Sequence, residues 1–234
     1  MGKVTILDTT TRNPISLIGE RAGICWGADT SSHIKNYQRG LDCITSGHGR
    51  TLEFVQIDMV ISGYSARVIR EYMRHVGGGL TVLQASTRYI DYGEFEYIIP
   101  KSIKENPTAL EEYERCMRHI RDAAQFIELQ CELPREDVAN LLPLGMTTKL
   151  VDHKNLRNLI DMSHQRLCNR AYWEFQQIMD DICDALTEYG KDSGEWETIV
   201  KTQFVPKCEV LGYCPEKNSC GRKPKKGESN VKID

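Results

Sequence analysis

Three consecutive glycines at positions 77–79, in the stretch RHVGGGLTVLQASTRY (74–89), constrain this chain more than any other feature. Glycine loses more backbone entropy on folding than any other residue, so a run of three disfavours both helix and strand. The preceding YSARVIREYMRH (64–75) sets Ala66, Val68, Ile69, Tyr72 and Met73 at helical spacing, after a Ser65 placed to cap them. That helix has to end at the glycines, and a new element has to begin beyond them. There, Gln84, Ser86 and Arg88 fall at every second position. In an extended segment an amide, a hydroxyl and a guanidinium would then share one face. A Gly-rich turn lets backbone N–H groups approach a bound group, and arginine offers phosphate a planar fork of donors. Arg74 and Arg88 on either side of the turn suit a phosphorylated ligand with a polar ring. The competing reading is a solvated loop with a surface ion pair. The run is neither a P-loop, lacking the GK[ST] ending, nor a dinucleotide fingerprint, since it follows a helix.

The formal net charge of −3 over 234 residues means that any anion site has to be local. The acidic balance, and the lack of a basic stripe interleaved with aromatics, argue against nucleic acid as a partner. No apolar run is long enough to cross a membrane, and MGKVTILDTT lacks the features of a secretory signal. Nine cysteines, an odd number, read as reduced thiols, which makes the expected location cytoplasmic.

Hydrophobic periodicity predicts an α+β chain in which helices dominate. Strands are expected over 3–8 and 53–62, and an extended segment over 86–100, ending at Pro100. Helices are expected over 13–24, 31–47, 64–75 and 108–130, the last with Thr108 and Glu111 as a capping box. A short helix should follow Pro134, and one long helix should run over 152–189, capped by Asp152 and stopped by Gly190. Residues 1–205 are read as one domain. Residues 206–234 are read as an irregular tail carrying Cys208, Cys214 and Cys220.

Two further polar clusters stand out. SGHGRTLEF (46–54) brings His48, Arg50 and Glu53 together ahead of a strand, although a lone loop histidine is ordinarily just exposed. NLRNLIDMSHQRLCNRAYWEFQQI (155–178) spaces Arg166, Arg170 and Trp173 along one helical face with His164 nearby, although charged helix faces are normally solvated. The three tail cysteines lack both a fourth ligand and a CxxC pair, so no metal is assigned to them.

Taken in order, GHGRTLEF, REYMRHVGGGLTVLQASTRY, LPREDVANLLPLGMTTKL and NLRNLIDMSHQRLCNRAYWEF resemble the flavin-dependent thymidylate synthases. The resemblance runs from about Gly47 to Gln176. It implies an α/β fold with a central antiparallel-type sheet, found as a homotetramer with active sites where subunits meet. The activity it implies is reductive methylation of dUMP to dTMP, with FAD as cofactor and methylenetetrahydrofolate and NADPH as co-substrates. It places Arg74, Gln84, Ser86, Arg88 and Lys149 on the dUMP phosphate and uracil, with Glu71 where the family often has a nucleotide-touching Gln. Arg74, Ser86, Arg88 and Gln176 are the candidate catalytic residues, and Arg170 is counted with the substrate-binding set. His48, Arg50, Glu53, His75, His164, Arg166 and Arg170 fall at or beside positions that hold FAD, and Arg74, Val76 and Gln84 adjoin them. Departures are Val76 in place of the second arginine of an Arg-His-Arg signature, a loop two residues longer, and Gln176 where a uracil-ionising Arg is common, with Arg170 as its possible substitute. Rival readings are a related C5 modification of a pyrimidine nucleotide, a nucleotide-binding module, or a zinc-tail protein.

Overall fold

A computed structural model describes residues 2–77 and 81–228. Four strands form one antiparallel sheet in the order β1-β2-β4-β3, with β1 at Lys3–Ile6, β2 at Gln56–Ser65, β3 at Thr81–Gln84 and β4 at Thr147–Asn155. The helices are α1 Pro14–Cys25, α2 His33–Thr45, α3 Gly49–Leu52, α4 Ala66–Tyr72, α5 Lys101–Lys104, α6 Pro107–Leu129, α7 Arg135–Val138, α8 Leu156–Arg166, α9 Trp173–Tyr189, α10 Glu195–Gln203 and α11 Lys207–Leu211. The expected helix-rich α+β class is what the chain adopts. Its described residues form two compact units, one of 2–3, 61–74 and 82–151, the other of 4–60, 75–77, 81 and 152–228.

The alternation of β2 is the period-2 signature of a strand with one covered face: Ile57, Met59 and Ile61 are buried and their neighbours are not. In β4 the buried set is Thr148, Leu150, Asp152 and Lys154, so polar groups take core positions there. Lys154 and Asp152 pair at 3.3 Å with both side chains almost fully buried, the arrangement that makes burying charge tolerable.

In the first unit, Phe95, Met117 and Met146 form a core closed by Tyr92, Tyr97, Tyr113 and Ile120. In the second, α1 and α2 cross closely. A methyl group on Gly19 would meet the Asn36 carbonyl oxygen at 1.8 Å, and one on Gly40 the Ile15 carbonyl oxygen at 1.9 Å. Glu195 at the start of α10 is buried, and its carboxylate accepts from Ile15 N (2.7 Å), Ser16 N (3.0 Å) and Ser16 Oγ (2.5 Å). A carboxylate at a helix N-terminus satisfies orphan N–H groups and complements the dipole.

Three expectations give way. The helix proposed over 152–189 is strand, helix, break and helix. Asn155, not Asp152, caps α8, accepting from Asn158 N at 3.0 Å, while Asp152 is buried within β4. The cap of α6 is Asn106, which accepts from Ala109 N at 3.1 Å, so Thr108 and Glu111 lie inside the helix. The segment over 86–100 is irregular chain with two short turns and one bridge, Tyr97 to Met146; the strand lies earlier, at 81–84. Ser65 does cap α4, but that helix stops at Tyr72, before the glycines. Gly78 and Gly79 lie outside the described residues.

Candidate active site

Two groups of side chains, one in each unit, carry the chemistry. In the first unit, α4 is pinned at its start. Ser65 Oγ accepts from Val68 N at 3.2 Å, and the orphan N–H groups of Ala66 and Arg67 donate to the carbonyls of Met146 (2.8 Å) and Leu144 (2.9 Å). Val68, Ile69 and Tyr72 are buried. The opposite face follows from the 3.6-residue period: Arg67, Arg70, Glu71 and Arg74 form one stripe. With Leu144 they line a cavity of about 310 Å³, in which Glu71 pairs with Arg67 at 3.6 Å. Three guanidiniums against one carboxylate give this patch local positive charge on an acidic protein.

The strand after the glycines runs beside β4. Gln84 Nε2 donates to Thr148 Oγ1 (3.4 Å), and Ala85 N to the Lys149 carbonyl (2.8 Å). Gln84 and Lys149 are thus neighbours, and the Lys149 side chain is exposed. The expected shared face of Gln84, Ser86 and Arg88 does not persist to Arg88. Ser86 Oγ accepts from Arg88 N at 3.2 Å, and the Ser86 carbonyl from Ile90 N at 3.2 Å, so the chain turns. Arg88 leaves that face and binds Glu136 at 2.8 Å, Nε to Oε2. It is not among the residues lining the Arg74 cavity. The two arginines expected to close on one dianion therefore stand in different surroundings.

In the second unit, His75 Nε2 accepts from Arg166 Nε at 2.9 Å. The ring of Phe175 organises both: Arg166 Cζ lies 4.4 Å from its centroid, and the His75 ring meets it edge-on at 5.6 Å. Lys154 Nζ donates to the His75 carbonyl at 3.4 Å. Burial first, then the Arg166 and Lys154 cations, push the His75 pKa down to about 4. It is neutral at pH 7, and Nε2 is an acceptor. Val76 beside it is exposed.

His48 stands just ahead of the short α3 without capping it through its side chain, is exposed, and meets Trp26 edge-on at 6.4 Å. Glu53 accepts from Arg157 Nη1 at 2.7 Å and from Arg50 Nη1 at 3.4 Å, so Arg50, Glu53 and Arg157 form a continuous charged chain. Burial lowers the His164 pKa, with Lys207 adding to the effect. Arg170 donates to the Asn218 carbonyl, held by the tail. Gln176 Nε2 donates to the Ala171 carbonyl at 2.7 Å and lines a separate cavity with Asp180 and Arg222.

Several participants escaped the sequence reading, Phe175 among them. Arg67 and Arg70 precede Arg74 by seven and four residues, a helical spacing visible in the sequence, although only packing decides that this face of the helix is left uncovered. Arg157 sits two residues after the α8 cap on the same helix as Arg166. Glu136 had no signal: nothing local ties it to Arg88, 48 residues away.

Residues 5–189 match the family model of the thymidylate synthase complementing protein. The chain belongs to this family. It is 34% identical over 176 residues to a flavin-dependent thymidylate synthase of Thermococcus onnurineus, covering 73% of this chain and 69% of that one. To the flavin-dependent thymidylate synthase of Pyrococcus furiosus it is 29% identical over 234 residues, covering 93% and 91%. Among solved structures, thymidylate synthase X from Helicobacter pylori with FAD and dUMP superimposes with a TM-score of 0.60 at 21% identity, over 86% of this chain and all of that one. At that identity the structural likeness speaks for the fold. Among the described residues, no helix is long and apolar enough to cross a membrane.

Proposed function

We propose that this chain is a flavin-dependent thymidylate synthase that methylates dUMP to dTMP, with FAD as cofactor and methylenetetrahydrofolate and NADPH as co-substrates. The family membership gives the reaction class. The observation that carries the site is the stripe of Arg67, Arg70 and Arg74 around one cavity, a local cationic surface of the kind a nucleotide phosphate requires. The donor set also fits FAD: Arg50 and Arg157 offer guanidiniums to a pyrophosphate, and His75 and Arg166, backed by the buried Phe175, offer an imidazole and a cation to a flavin ring. FAD, once reduced, supplies the hydride that completes the methyl group.

The chain's own residues bind and polarise the nucleotide. Arg74 and its helical neighbours hold the phosphate, and Arg88 joins them after exchanging Glu136 for the dianion. The Gln84 amide and Ser86 hydroxyl orient the uracil edge beside Lys149, and cationic donors there stabilise charge developing on the ring. His75 fixes the Arg166 guanidinium through a neutral acceptor nitrogen. His48, Arg50, Glu53, His75, Val76, His164, Arg166 and Arg170 contribute to the flavin side. No cysteine lines the α4 cavity, in keeping with ring polarisation and without a thiolate nucleophile. The working form is a cytoplasmic homotetramer whose active sites are shared between subunits. The test is dTMP formation from dUMP with methylenetetrahydrofolate, NADPH and FAD. A yellow protein that turns over, and an Arg74→Ala variant that does not bind dUMP, are expected. A colourless, inactive preparation of folded protein refutes the reading.

A further inference from the structure

Four of the nine cysteines, distant in sequence, line one cavity of about 460 Å³ within the second unit: Cys168 from the connection between α8 and α9, Cys208 from α11, and Cys214 and Cys220 from the tail. We propose that these four thiols form a structural zinc site, a tetrathiolate that fastens the C-terminal segment to the end of α8.

The first support is what the tail lacks. Among its described residues, 206–228, the buried ones are Cys208 and Cys214 alone. A segment of this length has little apolar burial of its own to hold one conformation, and a metal would add to its few polar ties. Yet it is turned with care. Gly212 (φ 72°) and Gly221 (φ 89°) take left-handed conformations close to Cys214 and Cys220, where a side chain would be strained. Cys214 N donates to the Pro224 carbonyl at 2.7 Å, folding the last part of the tail back beside Cys214. Arg222 then reaches the Leu167 carbonyl (3.3 Å) and the Asn169 side chain on either side of Cys168. Folding thus places Cys168, the ligand missing from the tail's own sequence, on the same cavity as the other three.

The second support is charge. Zinc held by four thiolates carries a net charge of −2, with four protons released on binding. The same cavity is lined by Arg166, Arg170, Lys207, Arg222 and Lys223, with His164 beside them and Glu216 as its carboxylate. Cations around thiolates lower the cost of ionising them and orient the ligand shell. Among the described residues no three His, Cys, Asp or Glu side chains already converge at bonding distance. Closure on zinc therefore takes rotation of the thiols and an inward shift of the exposed Cys220 loop.

This cavity shares His164, Arg166 and Arg170 with the proposed flavin side, so the readouts are ones that need neither flavin nor substrate. The full chain, purified without chelator, should contain close to one zinc per chain by elemental analysis. Thiol titration should rise by four on chelation, and cobalt exchange should give the ligand-field and sulfur-to-cobalt bands of a tetrahedral thiolate site. Cys220→Ser, at an exposed position, should lower zinc occupancy while circular dichroism stays unchanged; Cys214→Ser should do the same if it folds. Protein free of metal with all nine thiols titrating overturns the proposal. So does a mass deficit of two hydrogens per bond, which would mean disulfides, and so does iron with acid-labile sulfide, which would mean an iron–sulfur cluster.

Discussion

His75 is held from three sides, by the Arg166 guanidinium, the Phe175 ring and, through its carbonyl, Lys154. Unfolded, its imidazole titrates near 6.5; folded, near 4. Between those values the unfolded chain binds more protons, so this contribution to stability is complete above about pH 6.5 and is lost as pH falls towards 4. We expect His75→Gln, which cannot titrate, to flatten the fall in urea stability between pH 7 and pH 4.5 by about 1–2 kcal/mol, given partial exposure. An unchanged slope would show that other groups carry it. Arg88 makes a second residue-scale prediction, because Glu136 competes with any phosphate for its guanidinium. Calorimetric titration should show Arg88→Ala weakening dUMP binding by about 10- to 100-fold, through loss of a charge-assisted fork. Glu136→Ala should leave affinity equal or tighter. A weaker complex in Glu136→Ala would mean that the carboxylate positions Arg88 for the nucleotide and does not compete for it.

At the scale of elements, helix termini separate what is local from what is not. Ser65 ahead of α4 and Pro14 at the first turn of α1 are local signals, and both stand where the periodicity places them. The partner that satisfies α1, however, is Glu195, roughly 180 residues further on, and no window of sequence contains both. Removing a buried carboxylate that accepts three hydrogen bonds leaves those donors without partners. Glu195→Ala should therefore cost about 2–4 kcal/mol in denaturant unfolding, with Glu195→Gln costing less because one acceptor oxygen remains. Loss below about 0.5 kcal/mol would mean that water replaces the cap. The misread stretch over 152–189 fails for a similar reason. In β4, Asp152 and Lys154 are polar by type yet buried as a pair, so the apolar alternation that marks a strand is missing there.

At the scale of the molecule, the candidate residues fall into an α4 group in one unit and a His75–Arg166–Phe175 group in the other. If active sites are assembled from more than one subunit, two inactive variants should complement each other. Mixing and reassociating Arg74→Ala and Arg166→Ala chains should restore part of the dTMP-forming activity that neither has alone. No recovery in confirmed mixed assemblies would place both arginines in the same subunit's contribution to a site. The amino-acid sequence by itself determined the helix-rich class, the cap of α4 and the family motifs, because each rests on spacing within a few turns of chain. Only the tertiary structure decided that Arg67 and Arg70 join Arg74, that Arg88 turns away to Glu136, that Glu195 caps α1 and that Cys168 meets the tail. Those contacts join segments far apart in sequence, or depend on which face of a helix is left uncovered. Burial and charge choose such partners only once the chain has closed on itself.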